Sequence, residues 1–564
     1  MASQPSLRKR RPQPSPDKSW SAELFGLSAS KPKAKRNRTI STRVACLLLF
    51  AARLLSVYFS IVHDCDEVFN YWEPLHYLLY GYGLQTWEYS AQYALRPYLY
   101  LLLHTTVAAP AALWFGSESG KVAVFHITKA SLAFFSAVSE ALLYRAVHRH
   151  LSPNIAKMFL LLLCVSSDHR RVVLYAMVGV MWGWAVAGVA FIPYAVLLLL
   201  VGNPMVYLPA GVVFLTGTVV PMIGCDRLFY GKWTFSLWNF VCYNVFGGGD
   251  SALYGVEGPS FYMRNGLNNL NFILPLGLIY PLVALLDLFQ VTGNEWRPRV
   301  LIALSPIYVW LAAITALPHK EERFMYVIYP LMCLAAATTL ASFRTLTSTI
   351  LGKLFSRRFA RWISRGATAV VVIAIVVLSL SRSIALVVNY GAPMRLYSQL
   401  PQIPEEANMT NSDVVSVCVG DEWYRYPSSF FLPGSSYRLQ FVKSGFDGML
   451  PIAFNASQGG TAASPAQLND RNEGHPDTYW NSTADCHFMI LMQQADEPQP
   501  DPVHWEVIAK EPFVEGSRSP PLWRALYIPV LSAQHVHWTH YILLSSKTLV
   551  DRQKNINTEG VKSA

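Results

Sequence analysis

The sequence predicts a polytopic α-helical membrane protein of about eleven spans, with a C-terminal domain of mixed α/β or mostly β character. Three observations predict it. Apolar runs long enough to cross a bilayer recur up to residue 389. Charge is scarce: 52% of the 564 residues are hydrophobic and 14% are charged, against about 25% charged in a soluble domain. From residue 390 the long runs give way to turn-rich sequence with short β-branched and aromatic segments, Val414–Val419, Arg438–Val442 and Phe488–Met492.

Residues 1–42 read as a disordered basic tail in which Lys31, Lys33, Lys35, Arg36, Arg38 and neighbouring prolines outweigh large apolar residues. Basic residues beside a first span hold that end in the cytosol. The span, Val44–Val62, has no small-residue cleavage site and reads as a signal anchor that carries residues 63–95 to the opposite, lumenal side. A short interfacial helix is expected at Leu75–Tyr82. Further spans are expected near 96–114, 122–146, 155–167, 205–224, 267–290, 300–317, 324–343 and 368–389. Residues 172–202, interrupted by Gly183, Gly188 and Pro193, are expected to form a broken pair of short spans.

The odd total places residues 390–550 in the lumen, followed by a polar tail at 551–564. Arg344, Lys353, Arg357, Arg358, Arg361 and Arg365 suit a cytosolic loop at 344–367. Sequons at Asn408, Asn455 and Asn481 suit a lumenal domain, whereas the one at Asn37 falls in the cytosolic tail and is read as chance. Cys418 and Cys486 are the cysteines of that domain and a candidate pair in an oxidising compartment.

The net charge of +11 sits largely in the tail and loops, where membrane orientation explains it, and does not suggest nucleic acid. No CxxC spacing points to zinc. Gly247–Gly249 lacks the strand–loop–helix context of a phosphate-binding loop and reads as a turn.

The densest chemistry is in His63–Pro74, where Asp64, Asp66, Glu67 and Glu73 lie among Phe69, Tyr71 and Trp72 just outside the first span. Two other segments reach the same side, 225–266 and the turn 318–323. Transfer of a sugar from an activated donor needs a base for the acceptor hydroxyl and positive charge for the leaving group. The acids can supply the first. His319, Lys320, Arg323 and Arg264 can supply the second. Crowded carboxylates also raise one another's pKa. Plainer readings stand beside this one: a solvated loop, a charged cap between two helices, an interfacial belt of Trp and Tyr, or an ion pair between the acidic loop and Lys320 or Arg323. A transporter is the alternative from another class, although few charges interrupt the spans.

His63–Pro74 together with Gln85-Thr86-Trp87-Glu88-Tyr89-Ser90 resembles the first lumenal loop of the dolichyl-phosphate-mannose-dependent α-1,2-mannosyltransferases of the dolichol-linked oligosaccharide pathway. The resemblance continues at Tyr243–Phe246, Leu253–Gly255, His319–Phe324, Cys418–Phe430 and Leu526–Pro529, covering roughly residues 44–545. The run from Cys418 is the most specific, because sister mannosyltransferases share parts of the others.

The resemblance implies a C-type glycosyltransferase fold in the endoplasmic reticulum membrane, with its site facing the lumen. It implies dolichyl-phosphate-mannose as donor and a dolichol-diphosphate-linked oligosaccharide as acceptor, with no metal or cofactor. A β-linked donor and an α-linked product imply inversion, with one base and no covalent intermediate. Asp66 is the first candidate base, Glu67 the second and Asp64 the third. His319, Lys320, Arg323 and Arg264 would meet the donor phosphate, and Tyr71, Trp72 and Glu73 would contact substrate. A sister activity on glycolipid anchors, or one making the α-1,6 bond, is the runner-up. One departure stands out. Cys164–Ser167 runs straight into Asp168-His169-Arg170-Arg171, where the family has a longer Ser/Phe/Leu-Pro-rich stretch. An inactive scaffold is the reading that this departure leaves open.

Overall fold

The computed structural model describes residues 39–62, 64–116, 120–165, 185–201, 204–244, 246, 251–288, 297–402, 414–480, 482–494 and 500–547. His63, Asn408, Asn481, most of the basic tail and the Ser167–Asp168 departure lie outside them.

The first helix, α1 (Thr42–Phe59), begins at Ser41, whose hydroxyl accepts from the Val44 N–H at 3.3 Å. A helical stretch then runs from Cys65, passes through a π-helical turn at Val68–Trp72, and continues as α2 (Glu73–Tyr80). Pro74 opens α2, and Gly81, at φ 80°, closes it in the left-handed conformation that glycine adopts without strain. A helix is therefore present where one was expected at Leu75–Tyr82, shifted by two residues.

The helices that follow are α3 (Tyr98–Phe115), α4 (Lys121–His150), α5 (Pro153–Val165), α6 (Ile192–Val201), α7 (Pro204–Tyr230) and α8 (Ser236–Asn244). Next come α9 (Phe261–Leu270), α10 (Ile273–Leu278), α11 (Tyr280–Leu288), α12 (Arg297–Ala316), α13 (Tyr329–Leu354) and α14 (Arg357–Tyr390). Among the described residues, 6 helical segments are long and apolar enough to cross a membrane: Thr42–Phe59, Tyr98–Phe115, Lys121–His150, Gly211–Tyr230, Glu322–Leu354 and Arg357–Tyr390. Shorter apolar helices lie at Pro153–Val165, Val186–Leu200 and Val300–Ala316. The protein is a helical membrane protein.

Three sequence expectations change. The span expected at 267–290 is broken into α9, α10 and α11. Asn271 adopts φ 41°, and Pro275 and Pro281 have no N–H for a helical hydrogen bond. The basic loop at 344–367 is almost entirely helical. α13 and α14 are joined through Phe355 and Ser356 alone, and the Ser356 hydroxyl caps α14 by accepting from the Phe359 N–H. From Asp64 onward the first loop is not the solvated loop of the plainer reading, because Val68, Phe69, Trp72, Glu73 and Tyr89 are buried.

After the short α15 (Ala392–Tyr397), the C-terminal region builds a five-stranded mixed sheet in the order β3-β2-β5-β7-β6. Its strands are β2 (Val415–Val419), β3 (Tyr437–Phe441), β5 (Phe488–Gln493), β6 (Trp505–Val514) and β7 (Trp538–Ser546). The β2 strand pairs in parallel with β3 and β5, and β7 pairs antiparallel with β5 and β6. A disulfide joins buried Cys418 on β2 to Cys486 just before β5.

This sheet does not stand apart from the membrane region. β1 (Leu84–Gln85) in the first loop pairs antiparallel with β4 (Ile452–Ala453). One hydrophobic core runs from Trp72, Leu101 and Phe125 to Phe430, Val417 and Leu543. The carboxylate of Glu73 is fully buried in that seam. It accepts from the Ser428 hydroxyl (2.9 Å), the Ser429 N–H (2.6 Å), the Ser429 hydroxyl (2.9 Å) and the Leu84 N–H (3.0 Å).

Candidate active site

Local helix geometry sorts the first-loop acids. Asp64 caps the turn, its Oδ1 accepting from the Asp66 N–H at 3.0 Å. Asp66 and Glu67 are successive helical residues, so they diverge by about 100°. Asp66 faces a large cavity. Glu67 turns the other way, accepts from the Trp72 indole N–H at 3.2 Å, and lines a small pocket of about 60 Å³ with Arg53, Ser60 and Lys129. Tyr71 lines both spaces. Trp72 packs on Phe125 at 4.2 Å between ring centroids and on Phe430 at 6.1 Å. Of the three residues expected to contact substrate, only Tyr71 therefore reaches the large cavity. Trp72 is core and Glu73 is the seam latch.

The turn at 318–323 delivers Arg323 onto these acids. Its Nη1 donates to both Asp64 oxygens at 3.1 Å, its Nη2 to Asp66 Oδ2 at 2.5 Å, and its Nε pairs with Glu321 Oε2 at 2.5 Å. Glu321 Oε1 contacts His319 Nε2 at 2.8 Å, and His319 Nδ1 lies 3.0 Å from the Gly255 carbonyl. The hydrogen bond to Glu321 raises the His319 pKa, against burial. As an imidazolium it donates to both partners.

A second pair closes the wall, with Arg96 Nε and Nη2 on the Glu88 carboxylate at 2.9–3.1 Å. Burial raises the Glu88 carboxyl, and Arg96 opposes this.

Burial pushes the Asp64 carboxyl above the ordinary range; Arg323 opposes this, while Asp66 and Glu321 add to it. Burial acts upward on Asp66 too, but the charge and hydrogen bond of Arg323 outweigh it, helped by Arg96 and His319. Asp66 is thus held below its ordinary value. The availability of the two carboxylates also differs. Both Asp64 oxygens are held by Arg323, and its side chain is 28% exposed. Asp66 is 43% exposed, and among the described residues the partner of its Oδ1 is the weak Cys65 thiol donor at 4.0 Å.

The remaining expected cations do not join this cluster. Lys320 is buried, and its ammonium group donates to the carbonyls of Leu317 and Glu257 (2.9 Å to the latter). It ties the end of α12 to the preceding loop. Arg264 is exposed and pairs loosely with Glu257 at 3.6 Å. Neither lines the cavity. Asp64, Cys65 and Asp66 bring possible metal-ligand atoms within 4.8 Å of one another, but the Arg323 guanidinium already bridges the two carboxylates.

The cavity holds about 710 Å³, a size suited to a small ligand or a few sugar rings. The first loop contributes Asp66, Asn70, Trp87 and Glu88 to its wall, and middle segments contribute Tyr243, Tyr254, His319 and Arg323. The C-terminal domain supplies Trp423, Phe446, Leu450 and Asn472. Sequence reasoning did not select Glu88, Glu321, Trp423, Tyr243 or Tyr254, although all lie in the motif runs quoted above. Arg96 and Asn472 carried no signal, because an isolated Arg or Asn acquires meaning only from what it faces.

A family model described as the Alg9-like mannosyltransferase family matches residues 44–169 and 167–433. The chain belongs to this family. The match breaks at 167–169, where the sequence departs from the family pattern. The chain is 35% identical over 532 residues to the alpha-1,2-mannosyltransferase ALG9 of Arabidopsis thaliana, covering 87% of this chain and 89% of that one. It is 34% identical over 579 residues to the alpha-1,2-mannosyltransferase ALG9 of Homo sapiens, covering 93% and 91%. The crystal structure of ArnT from Cupriavidus metallidurans in the apo state covers 72% of this chain and 87% of its own, at 15% identity and a TM-score of 0.34. That likeness is too low to carry an argument. This member of the family is a glycosyltransferase.

Proposed function

We propose that this membrane enzyme transfers mannose in α-1,2 linkage, with inversion, from dolichyl-phosphate-mannose to a dolichol-linked oligosaccharide. The site faces the lumen of the endoplasmic reticulum, and the product serves N-glycan precursor assembly. The observation that carries the reading is the meeting of Asp64 and Asp66 with Arg323 on the wall of a cavity at the end of the first span.

Asp66 acts as base. Its Oδ1 accepts the proton of the acceptor 2-hydroxyl as that oxygen attacks C1 of mannose from the face opposite the phosphate. The new C1–O bond forms, the C1–O(phosphate) bond breaks, and dolichyl phosphate leaves with the electron pair. The low pKa keeps Asp66 ionised, at some cost in basicity. Asp64 is a positioning residue: both of its oxygens hold Arg323, which in turn fixes Asp66 through Oδ2. His319 and Arg323 remain the candidates for the charge developing on the phosphate. Lys320, Arg264 and Glu67 lie outside the cavity and are withdrawn from the site.

The test is transfer from dolichyl-phosphate-mannose to a lipid-linked acceptor by the reconstituted protein. Asp66→Asn should lose about 10²–10⁴-fold in kcat, whereas Glu67→Gln should keep most of it. A stable, fully active Asp66→Asn protein would remove Asp66 as base. Asn455, exposed at a turn, tests the lumenal face: Asn455→Gln should lose the mass of one glycan.

A further inference from the structure

One motif is left without a role by the reaction. Leu526–Pro529 lies in a segment between β6 and β7, flanked by α16 (Pro521–Ala525) and α17 (Leu531–His535). The segment leaves the sheet and lies against the last span, α14. The Tyr527 N–H donates to the Ser381 carbonyl at 3.2 Å, and the Ser381 hydroxyl donates to the Tyr527 carbonyl at 2.9 Å. Arg382 donates to the Ala525 carbonyl, and Asn389 to the Arg524 carbonyl. These bonds fix the height of the segment along α14.

That height coincides with a membrane boundary. On α14 the uncharged, mainly apolar stretch is bounded by Arg365 and Arg382. At 1.5 Å per residue it measures about 25 Å, close to the ~27 Å hydrocarbon thickness of the endoplasmic reticulum bilayer. Residues 521–531 therefore lie beside the last turns of hydrocarbon and the headgroup layer.

The surface they present suits that depth. Leu522, Ile528, Val530 and Leu531 are exposed apolar residues outside any membrane span. Trp523 stacks on His535 with 4.6 Å between centroids, and amphipathic rings favour the interface. Val530 is held at φ 68°, ψ −53°, and the Leu531 N–H closes a tight turn onto the Pro529 carbonyl at 2.8 Å. A β-branched residue resists positive φ, yet here that backbone keeps an apolar side chain at the tip, 70% exposed.

We propose that residues 520–535 are a membrane-seated foot of the C-terminal domain, inserted into the lumenal leaflet beside α14. The partner is the lipid surface. Its apolar side chains enter the acyl boundary while the backbone bonds to Ser381 and Arg382 set the depth. Seated this way, the foot sets the height of the C-terminal domain, whose Trp423 and Phe446, on the segments after β2 and β3, wall the cavity. The inference does not depend on which sugar is transferred.

The test compares two exposed valines in the full-length protein reconstituted in phosphatidylcholine vesicles. Val530→Cys and Val503→Cys carry an environment-sensitive fluorophore, with identically treated wild type as background. Val503, 72% exposed, lies beyond the Trp505 end of β6, some 30 Å along the strand from the end that meets α14. Lipid-borne nitroxide should quench the label at 530 at least threefold more than the label at 503, and aqueous iodide should do the reverse. Equal iodide quenching at both positions overturns the proposal. Protection of position 530 from both quenchers also overturns it, in favour of a protein partner.

Discussion

Replacing Arg323 by Gln tests the electrostatic core of the site. The guanidinium makes contacts of 2.5–3.1 Å to three carboxylates, those of Asp64, Asp66 and Glu321. In wild type its charge and hydrogen bond hold the Asp66 carboxyl below its ordinary value against burial. The sign follows directly. A base with a depressed pKa stays ionised to low pH, so the acid limb of kcat/KM lies low. Without Arg323, burial acts upward and is opposed by the weaker effects of Arg96 and His319. Loss of an opposite charge at this range is worth roughly 1–3 pKa units, or about 1.4–4 kcal/mol, with the lower half expected because these side chains are part-exposed. The acid limb for Arg323→Gln should therefore move up by about 1–2 pH units. Arg323→Lys keeps the charge without the fork and should fall between the two. The assay is mannose transfer across pH 4–8 at sub-saturating acceptor, with folding checked by thermal shift at each pH. An acid limb that stays in place in Arg323→Gln would refute the coupling of Arg323 to the base.

Glu73→Gln puts an amide N–H₂ against donors where the carboxylate now accepts four hydrogen bonds. Bonds to a charged group contribute about 1.5–3 kcal/mol each, so a loss of roughly 2–4 kcal/mol is expected, read as a lower Tm. Lys320→Met leaves two carbonyls without their ammonium donor but removes nothing from the cavity wall. It should lower Tm while changing KM for the donor by less than about threefold, since the side chain makes no binding contact there. Cys418→Ser opens a link across 68 residues of sequence. Chain entropy puts its worth at about 4 kcal/mol, measured as a Tm drop together with a mobility shift on non-reducing gels.

Much of the architecture was legible because period and length are local properties. The long apolar helices, the short helix at Glu73–Tyr80 and three of the strands fall close to where hydropathy and β-branching put them. β6 was missed because Glu506, Lys510, Glu511 and Pro512 interrupt its apolar pattern, and its identity rests on pairing with β7. The kinks at 271–281 were missed because a composition average does not register one residue at positive φ followed by two prolines.

The acidic loop and the His319–Phe324 turn were visible as the two halves of a site, because charge in such surroundings is costly and conspicuous. Which side chains of those halves meet was not visible. Neighbours in sequence point apart on a helix, so Asp66 reaches the cavity while Glu67 does not; Glu73, seven residues on, is taken up by the donors of Ser428, Ser429 and Leu84. Lys320 and Arg323, three residues apart, likewise end in a carbonyl cage and on the carboxylates.

Sequence therefore determined the membrane class, the family and the segments that carry chemistry, since these depend on residue type and spacing along the chain. Tertiary structure alone decided which partners each charge meets. Whether a carboxylate faces the cavity or is locked in the core depends on which donors surround it, and those donors come from segments more than 250 residues away.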